Sequence, residues 1–309
     1  MKYSGIGGQA VMEGVMMKNG SKYAVAVRKP DQEIIVETSE YQGIIKKECI
    51  RNLPVARGVF SFAESLTLGM KTLTFSASFF EEEDSSAQSA RDQKKEEAFM
   101  GIAVVLAVVL AVGLFMILPY GLSLLFRRLI ASQWIVALLE GVFRLLIFVG
   151  YVAGISLMSD IKRVYMYHGA EHKCINCIEH GYDLTVENVR KSSRLHKRCG
   201  TSFLLIVMLI SILFFMLIQV ESPIMRLVLR LVLIPVIAGV SYEFIRLAGR
   251  TDNVLVNILS KPGLWLQGIT TKEPEDDMIE VAIASVEAVF DWRAYIRENF
   301  ADRKREDCV

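Results

Sequence analysis

Two long stretches without charge constrain this chain most. Residues 98–126 contain no charged side chain in 29 positions, and residues 199–220 contain none in 22. About 20 apolar residues cross a bilayer as a helix, because that length covers the hydrocarbon and every backbone group is satisfied within the helix. A soluble core helix of such length and purity would be unusual. The two stretches therefore predict membrane-spanning helices.

Two further apolar stretches complete a predicted set of four spans. The spans are expected at 99–122, 133–158, 202–220 and 227–247. The fourth is the weakest, because Arg230, Glu243 and Arg246 interrupt or flank it, and a re-entrant helix is the alternative there. The predicted fold class is an all-α membrane bundle with a small β-rich N-terminal region.

The polar segments divide the chain further. The predicted organisation is a β-rich region with an amphipathic interfacial helix (1–80), a charged linker (81–98), the first two spans (99–158), a His/Cys loop (159–201), the last two spans (202–248) and a tail with an amphipathic helix (249–309).

Three local patterns underlie that division. The β-favouring runs 23–28 and 33–37 flank a Lys-Pro-Asp-Gln turn, which is typical of a hairpin. Residues 57–80 mix large apolar with small polar side chains, so an interfacial helix is favoured and a fifth span is the alternative. Residues 274–290 form an amphipathic pattern with acids at its start, which predicts a helix.

Basic residues flank the predicted spans unevenly. Lysine and arginine are frequent at 94–95, within 159–202 and at 246–250, whereas the opposite side has few. Because cytoplasmic span ends are enriched in these residues, both termini and the 159–201 loop are predicted to face the cytoplasm, in the cell (inner) membrane.

The charge balance limits the partners. A formal net charge of +1 argues against a general nucleic-acid binder. The lipid bilayer is the predicted partner, and another membrane protein or a second copy of the chain are the protein partners that the sequence leaves open.

The histidines indicate the first candidate site. All four lie between positions 168 and 196. Residues 168–172 read His-Gly-Ala-Glu-His, and on a helix His168 and His172 would share a face and could bind one Zn²⁺, with Glu171 as general base. A third ligand is needed, and His196 or Cys199 could supply it. Gly169 disfavours a long rigid helix through this motif.

Two other interpretations of the same window remain open. Cys174 and Cys177 could form a closed structural zinc site with His196 and Cys199, at a spacing that resembles a zinc knuckle. Alternatively, the histidines cap helices and the thiols only pack.

Charges inside the predicted spans form a second candidate site. Glu140 and Arg144 are four residues apart and can pair on one helix face. A charge at the bilayer centre is costly, so pairing with Arg230 or Glu243 of the fourth span is expected. The group is either a clamp that fixes helix packing or the lining of a polar cavity for substrate or protons.

The chain resembles the YqhQ-like family of bacterial membrane proteins of unknown function. The resemblance covers nearly the whole chain and rests on four motifs: residues 7–17 (GGQAVMEGVMM), 168–173 (HGAEHK), 196–203 (HKRCGTSF) and 241–243 (SYE). The family is labelled a predicted metal-dependent enzyme. In the family pattern threonine usually stands where this chain has Cys174, which shifts the expected ligands to His168, His172, His196 and Cys199.

The leading hypothesis is a metal-dependent, hydrolytic membrane enzyme with a site that faces the cytoplasm. If the second and third spans are antiparallel neighbours, the four expected ligands reach the same depth, so His168, His172 and His196 are predicted to share one ion, with Glu171 beside them. Gln9, Glu13 and Cys177 are possible supporting residues, since the glycine-rich segment could fold over the metal or simply make a tight turn. The rival hypothesis is a non-enzymatic scaffold or assembly factor with a structural metal or none, and a transporter is third.

Overall fold

The chain forms two compact units. The computed structural model describes residues 2–43, 53–80, 90–217, 220, 222–248 and 254–301. The first unit comprises Met1–Phe80, Gly154–Ile206 and Ala238–Val309, and the second comprises Glu81–Ala153 and Val207–Ile237.

The described residues form four strands and a larger set of helices. The strands are β1 (Ile6–Val11), β2 (Gly14–Asn19), β3 (Lys22–Arg28) and β4 (Ile34–Glu40). The first helices are α1 (Ala56–Ala77), α2 (Ala90–Val112), which continues through a π-helical turn (Gly113–Ile117) into α3 (Leu118–Phe126), α4 (Gln133–Ile155), α5 (Ser159–Glu179) and α6 (Val186–Lys191). The remaining helices are α7 (Gly200–Leu217), α8 (Pro223–Ala248), α9 (Val254–Thr270), α10 (Asp276–Val289) and α11 (Trp292–Asn299).

The strands form an antiparallel sheet in the order β1-β2-β3-β4. The predicted hairpin is confirmed, because β3 pairs with β4 across the Lys-Pro-Asp-Gln turn. The glycine-rich segment 7–17 forms a second hairpin in which Gln9 pairs with Met16. Its turn places Glu13 at a φ of 48°, the left-handed conformation that tight hairpin turns require.

Both faces of this sheet are covered by helices of the first unit. Side chains alternate along each strand, so Val15 and Met17 face a core that they share with α5 and α10. Met16 points to the other face and packs with Leu68 of α1. This two-sided burial explains the consecutive apolar residues of the two central strands, 15–17 in β2 and 23–27 in β3.

Four helices are long and apolar enough to cross a membrane among the residues that the structure describes. They are Gly101–Phe126, Gln133–Ile155, Gly200–Leu217 and Val228–Leu247. Their number agrees with the sequence prediction. The fourth runs without a break through α8 despite Pro235, so it has the length of a full span.

The segment between the second and third spans is more ordered than a loop. Residues 159–179 form α5 although Gly169 was expected to disfavour a long helix here, so that expectation is wrong. Gly169 is required for another reason, since a Cβ atom there would lie 2.0 Å from the backbone oxygen of Lys272. The backbone crosses α5 at this point, and Lys272 N donates to Tyr165 O over 2.9 Å.

This crossing gives a testable prediction. Gly169→Ala is expected to destabilise the protein by about 1–3 kcal/mol, because the backbone of Lys272 must move to admit the methyl group. Gly268→Ala is the matched control, since a Cβ atom there meets nothing within 4 Å. It should leave the protein equally stable or more stable by up to about 1 kcal/mol. Thermal unfolding of both variants measures the difference, and equal melting temperatures would contradict this packing.

The tail is also more structured than the sequence analysis expected. The predicted helix is confirmed as α10, with Asp276 and Asp277 in its first turn. The tail additionally contains α9 and α11. Gln267 of α9 is fully buried. Its Nε2 donates to His196 O over 2.7 Å, and its Oε1 accepts from His196 N over 2.8 Å.

Candidate metal centre

Three side chains of the first unit converge on one point. His168 and His172 lie one turn apart on α5, and Cys199 directly precedes α7. One ligand atom from each lies within 4.8 Å of the other two. His168 Nε2 and Cys199 Sγ are 3.2 Å apart, and the two imidazole centroids are 4.4 Å apart. After small side-chain movements, these ligand atoms are close enough to bind a single ion together.

Backbone carbonyls fix the orientation of both imidazoles. His168 Nδ1 lies 3.0 Å from the oxygen of Thr270, and His172 Nδ1 lies 2.7 Å from the oxygen of Arg194. A carbonyl oxygen only accepts, so each Nδ1 carries the hydrogen. In the neutral form of each ring the lone pair is therefore on Nε2. Metal-binding histidines in proteins are held by this kind of second hydrogen bond.

The surroundings of Cys199 favour the thiolate form of its side chain. Burial alone would raise its pKa, but the neighbouring His168 and His172 hold the pKa well below its usual range. Thr201 adds two contacts to Sγ, from its backbone nitrogen at 3.4 Å and its hydroxyl at 3.1 Å. Burial would lower the pKa of His168, but Cys199 outweighs it and raises that pKa to about 9. A thiolate is the form of cysteine that binds metals.

Glu171 is buried next to this group. Its side chain is 5% exposed, and Oε2 has no hydrogen-bond partner among the described residues. Burial raises the pKa of Glu171. The backbone of Gly8 in β1 bonds to the carboxylate, and a Cβ atom at Gly8 would lie 3.1 Å from Glu171 Cδ. A buried carboxylate oxygen without a partner is costly, so its presence calls for an explanation.

His196 lies near the group but is oriented away from it. Its ring centroid is 5.7 Å from that of His172, whereas its Nε2 faces Glu179 Oε2 at 3.5 Å. Arg198 also donates to Glu179, over 2.5 Å. Burial would raise the pKa of Glu179, but His196 and Arg198 lower it to about 2. His196 thus lies beside the buried ion pair of Glu179 and Arg198, and burial lowers its own pKa. The structure brings His168, His172 and Cys199 together without it.

The other residues considered in the sequence analysis lie elsewhere in the first unit. Glu13 accepts from Arg163 at 2.5 and 2.6 Å. The Gln9 amide lies against Gly69 of α1. Cys177 contacts backbone oxygens of its own turn, and Cys174 lies in the hydrophobic core. The zinc-knuckle set of Cys174, Cys177, His196 and Cys199 therefore does not assemble.

Three contacts of the site involve backbone atoms, and only the one at Gly8 had a partial sequence signal. Gly8 is one glycine in a glycine-rich strand, and only the packing of β1 on α5 shows that it touches Glu171. The carbonyls of Thr270 and Arg194 are backbone atoms, which no side-chain pattern can reveal. The glycine-rich motif was a usable signal, since it indicated a close approach to the backbone.

The predicted intramembrane charges divide between the units. Within the second unit, Arg144 donates to Glu140 over 2.8 Å and Arg230 donates to the same carboxylate over 2.7 Å. Of the two candidate partners, Arg230 is therefore the one that reaches Glu140. Glu243 pairs within the first unit with both nitrogens of the Arg57 fork.

Comparison with known proteins identifies a family whose function is unknown. The model of a family described as "Protein of unknown function (DUF1385)" matches residues 53–292. The chain is also 34% identical over 300 residues to "Uncharacterized protein YqhQ" of Bacillus subtilis (strain 168), covering 95% of this chain and 94% of that protein. No solved structure matches this chain.

Proposed function

We propose that this chain, which belongs to the DUF1385 family of proteins of unknown function, is a membrane protein that binds a transition-metal ion and uses it in hydrolysis. His168, His172 and Cys199 would hold the ion, and Glu171 would act as general base. The observation that supports this most is the convergence of these three ligand atoms within 4.8 Å.

The donor set fits zinc or a similar borderline-soft ion. Two imidazole nitrogens and one thiolate are ligands that Zn²⁺ prefers, and three protein ligands leave one position of a tetrahedron open. Sites with three protein ligands are typical of catalytic zinc, whereas structural sites use four. A zinc ion held there would supply Lewis-acid chemistry.

The chemistry of the protein itself centres on Glu171. Its Oε2 has no partner among the described residues, so it is free to accept a proton from water or return one to a leaving group. Burial raises its pKa, which brings the carboxylate closer to the range where proton transfer in both directions is efficient. Gly8 holds the other part of the carboxylate in place.

The Glu171→Gln variant tests this role. We expect it to keep the metal and to lower hydrolysis by about 10²–10⁴-fold, the usual contribution of general acid–base catalysis. The assay is a panel of ester, amide and phosphoester substrates with the metal-loaded protein, and metal content is measured on the same samples. Cys177→Ser is the control, since that thiol lies outside the cluster and its Sγ contacts the backbone oxygens of Tyr182 and Asp183.

The same experiment separates the rival function. If Glu171→Gln loses the metal, the carboxylate is a fourth ligand and the site is closed. The burial of Glu171 beside the cluster favours that alternative. A closed site would indicate a structural metal in a scaffold or assembly factor, and the hydrolase proposal would be wrong.

The proposed enzyme faces the cytoplasm of the cell. The four apolar helices are proposed to cross the membrane, and the basic residues near their ends support cytoplasmic termini and a cytoplasmic 159–201 segment. The metal centre would then act on substrates that reach it from the cytoplasm.

Cysteine labelling in sealed cells tests this orientation. In a background where Cys49 and Cys308 are serine, Ser193→Cys is expected to react with an impermeant maleimide only after the membrane is permeabilised. Leu129→Cys, at a position 81% exposed between α3 and α4, is expected to react in intact cells. Labelling of the Ser193→Cys variant from outside would reverse the proposed topology.

A further inference from the structure

The second unit buries three charged side chains whose charges do not sum to zero. Glu140, Arg144 and Arg230 are 4%, 6% and 6% exposed. One carboxylate faces two guanidinium groups, so the group has a surplus of one positive charge. A buried unbalanced charge is expensive, above all in a bundle proposed to lie in lipid.

The described contacts do not remove this surplus. Arg230 forms a bidentate pair with both oxygens of Glu140, at 2.6 and 2.7 Å. Arg144 shares the same carboxylate and gives its other hydrogen bonds to the neutral oxygens of Phe115 and Ser211. Among the residues that the structure describes, Glu140 is the one carboxylate in contact with either arginine.

A cavity adjoins the charged group within the same unit. It has a volume of about 200 Å³ and is lined by Arg230, Glu140 and Phe215, by Arg127 in the connection between α3 and α4, and by Gln133 at the start of α4. A liquid water molecule occupies about 30 Å³, so the space is ample for a tetrahedral oxyanion. The pair with Glu140 uses two of the five N–H groups of Arg230, and the remaining ones can serve another acceptor.

We propose that this cavity binds an oxyanion of the phosphate type, either the phosphate of a lipid headgroup or a free phosphate ion. Guanidinium groups bind phosphate through paired hydrogen bonds and are less strongly hydrated than ammonium groups. The bound anion neutralises the surplus charge of the group, and Arg127 at the cavity wall adds attraction. The proposal is independent of the metal centre.

Ligand-dependent thermal stability of the full-length protein tests the proposal. The protein is purified in a maltoside detergent, which contains no phosphate, at constant ionic strength set with chloride. Inorganic phosphate is added in one arm and dihexanoyl phosphatidylglycerol in the other. We expect a saturable rise in melting temperature in at least one arm, and the arm that responds identifies the source of the phosphate group.

Matched variants locate the effect. Arg230→Gln leaves Glu140 paired with Arg144 and should weaken the response at least tenfold in concentration, whereas Arg128→Gln, which does not line the cavity, should keep it. Ala137→Phe fills the cavity without altering a charge and should abolish the response even if Arg230→Gln does not fold. The proposal is overturned if neither ligand stabilises the protein more than chloride, or if Ala137→Phe responds like the unmodified protein.

Discussion

Protein purified without chelators is expected to contain about one transition-metal ion per chain, and Cys199→Ala is expected to retain less than about a tenth of it. Cys199 is the one thiolate-forming member of the described cluster, so its loss removes both a ligand and a negative charge from the proposed site. Elemental analysis of the purified protein measures the ratio. His172→Ala should behave in the same way, because its Nε2 is a proposed ligand and its Nδ1 is already bound to Arg194 O.

Two controls make the loss specific. Cys174→Ser and Cys177→Ser remove buried thiols that lie outside the cluster, so both should keep the metal. Circular dichroism of each variant shows whether the protein has kept its overall helical content. A metal that stays bound in Cys199→Ala, or that disappears equally in Cys177→Ser, would rule out the proposed ligand set.

The sequence analysis and the structure differ in the role that they give His196. The sequence analysis expected His196 among the ligands, whereas in the structure its Nε2 faces Glu179. The pattern could indicate that His196 is near, because it precedes the third span by few residues. It could not indicate the direction of the ring, since that depends on Glu179 of α5 and the Gln267 amide of α9, which lie far from His196 in sequence, as well as on the neighbouring Arg198.

Local patterns predicted the parts of the fold that depend on local physics. Long apolar stretches with few or no charged residues located the four apolar helices, and two β-favouring runs on either side of a turn located the β3-β4 hairpin. Acids in the first turn located α10. Gly169 shows where such rules fail, because its low helix propensity indicated a break, yet the close approach of Lys272 O requires a glycine inside a continuous helix. Gly8 beside Glu171 is a second contact between distant segments.

The charged group of the second unit should give the largest stability effects in the molecule. Glu140→Gln leaves Arg144 and Arg230 buried without a counter-ion, and we expect it to destabilise the protein by about 3–5 kcal/mol, the range for removing one partner of a buried pair. Arg230→Met should cost less, because Glu140 then remains balanced by Arg144 at 2.8 Å. Unfolding of the detergent-solubilised protein measures both changes.

A double variant decides whether unpaired charge is the cause. Glu140→Gln with Arg144→Met leaves one unpaired arginine where Glu140→Gln alone leaves two, so the double variant should be more stable than the single one. Arg128→Met, at an exposed position, is the control and should change stability by less than about 0.5 kcal/mol. Strictly additive losses at Glu140 and Arg144 would show that the two side chains act independently, and the buried ion pair would then contribute packing alone.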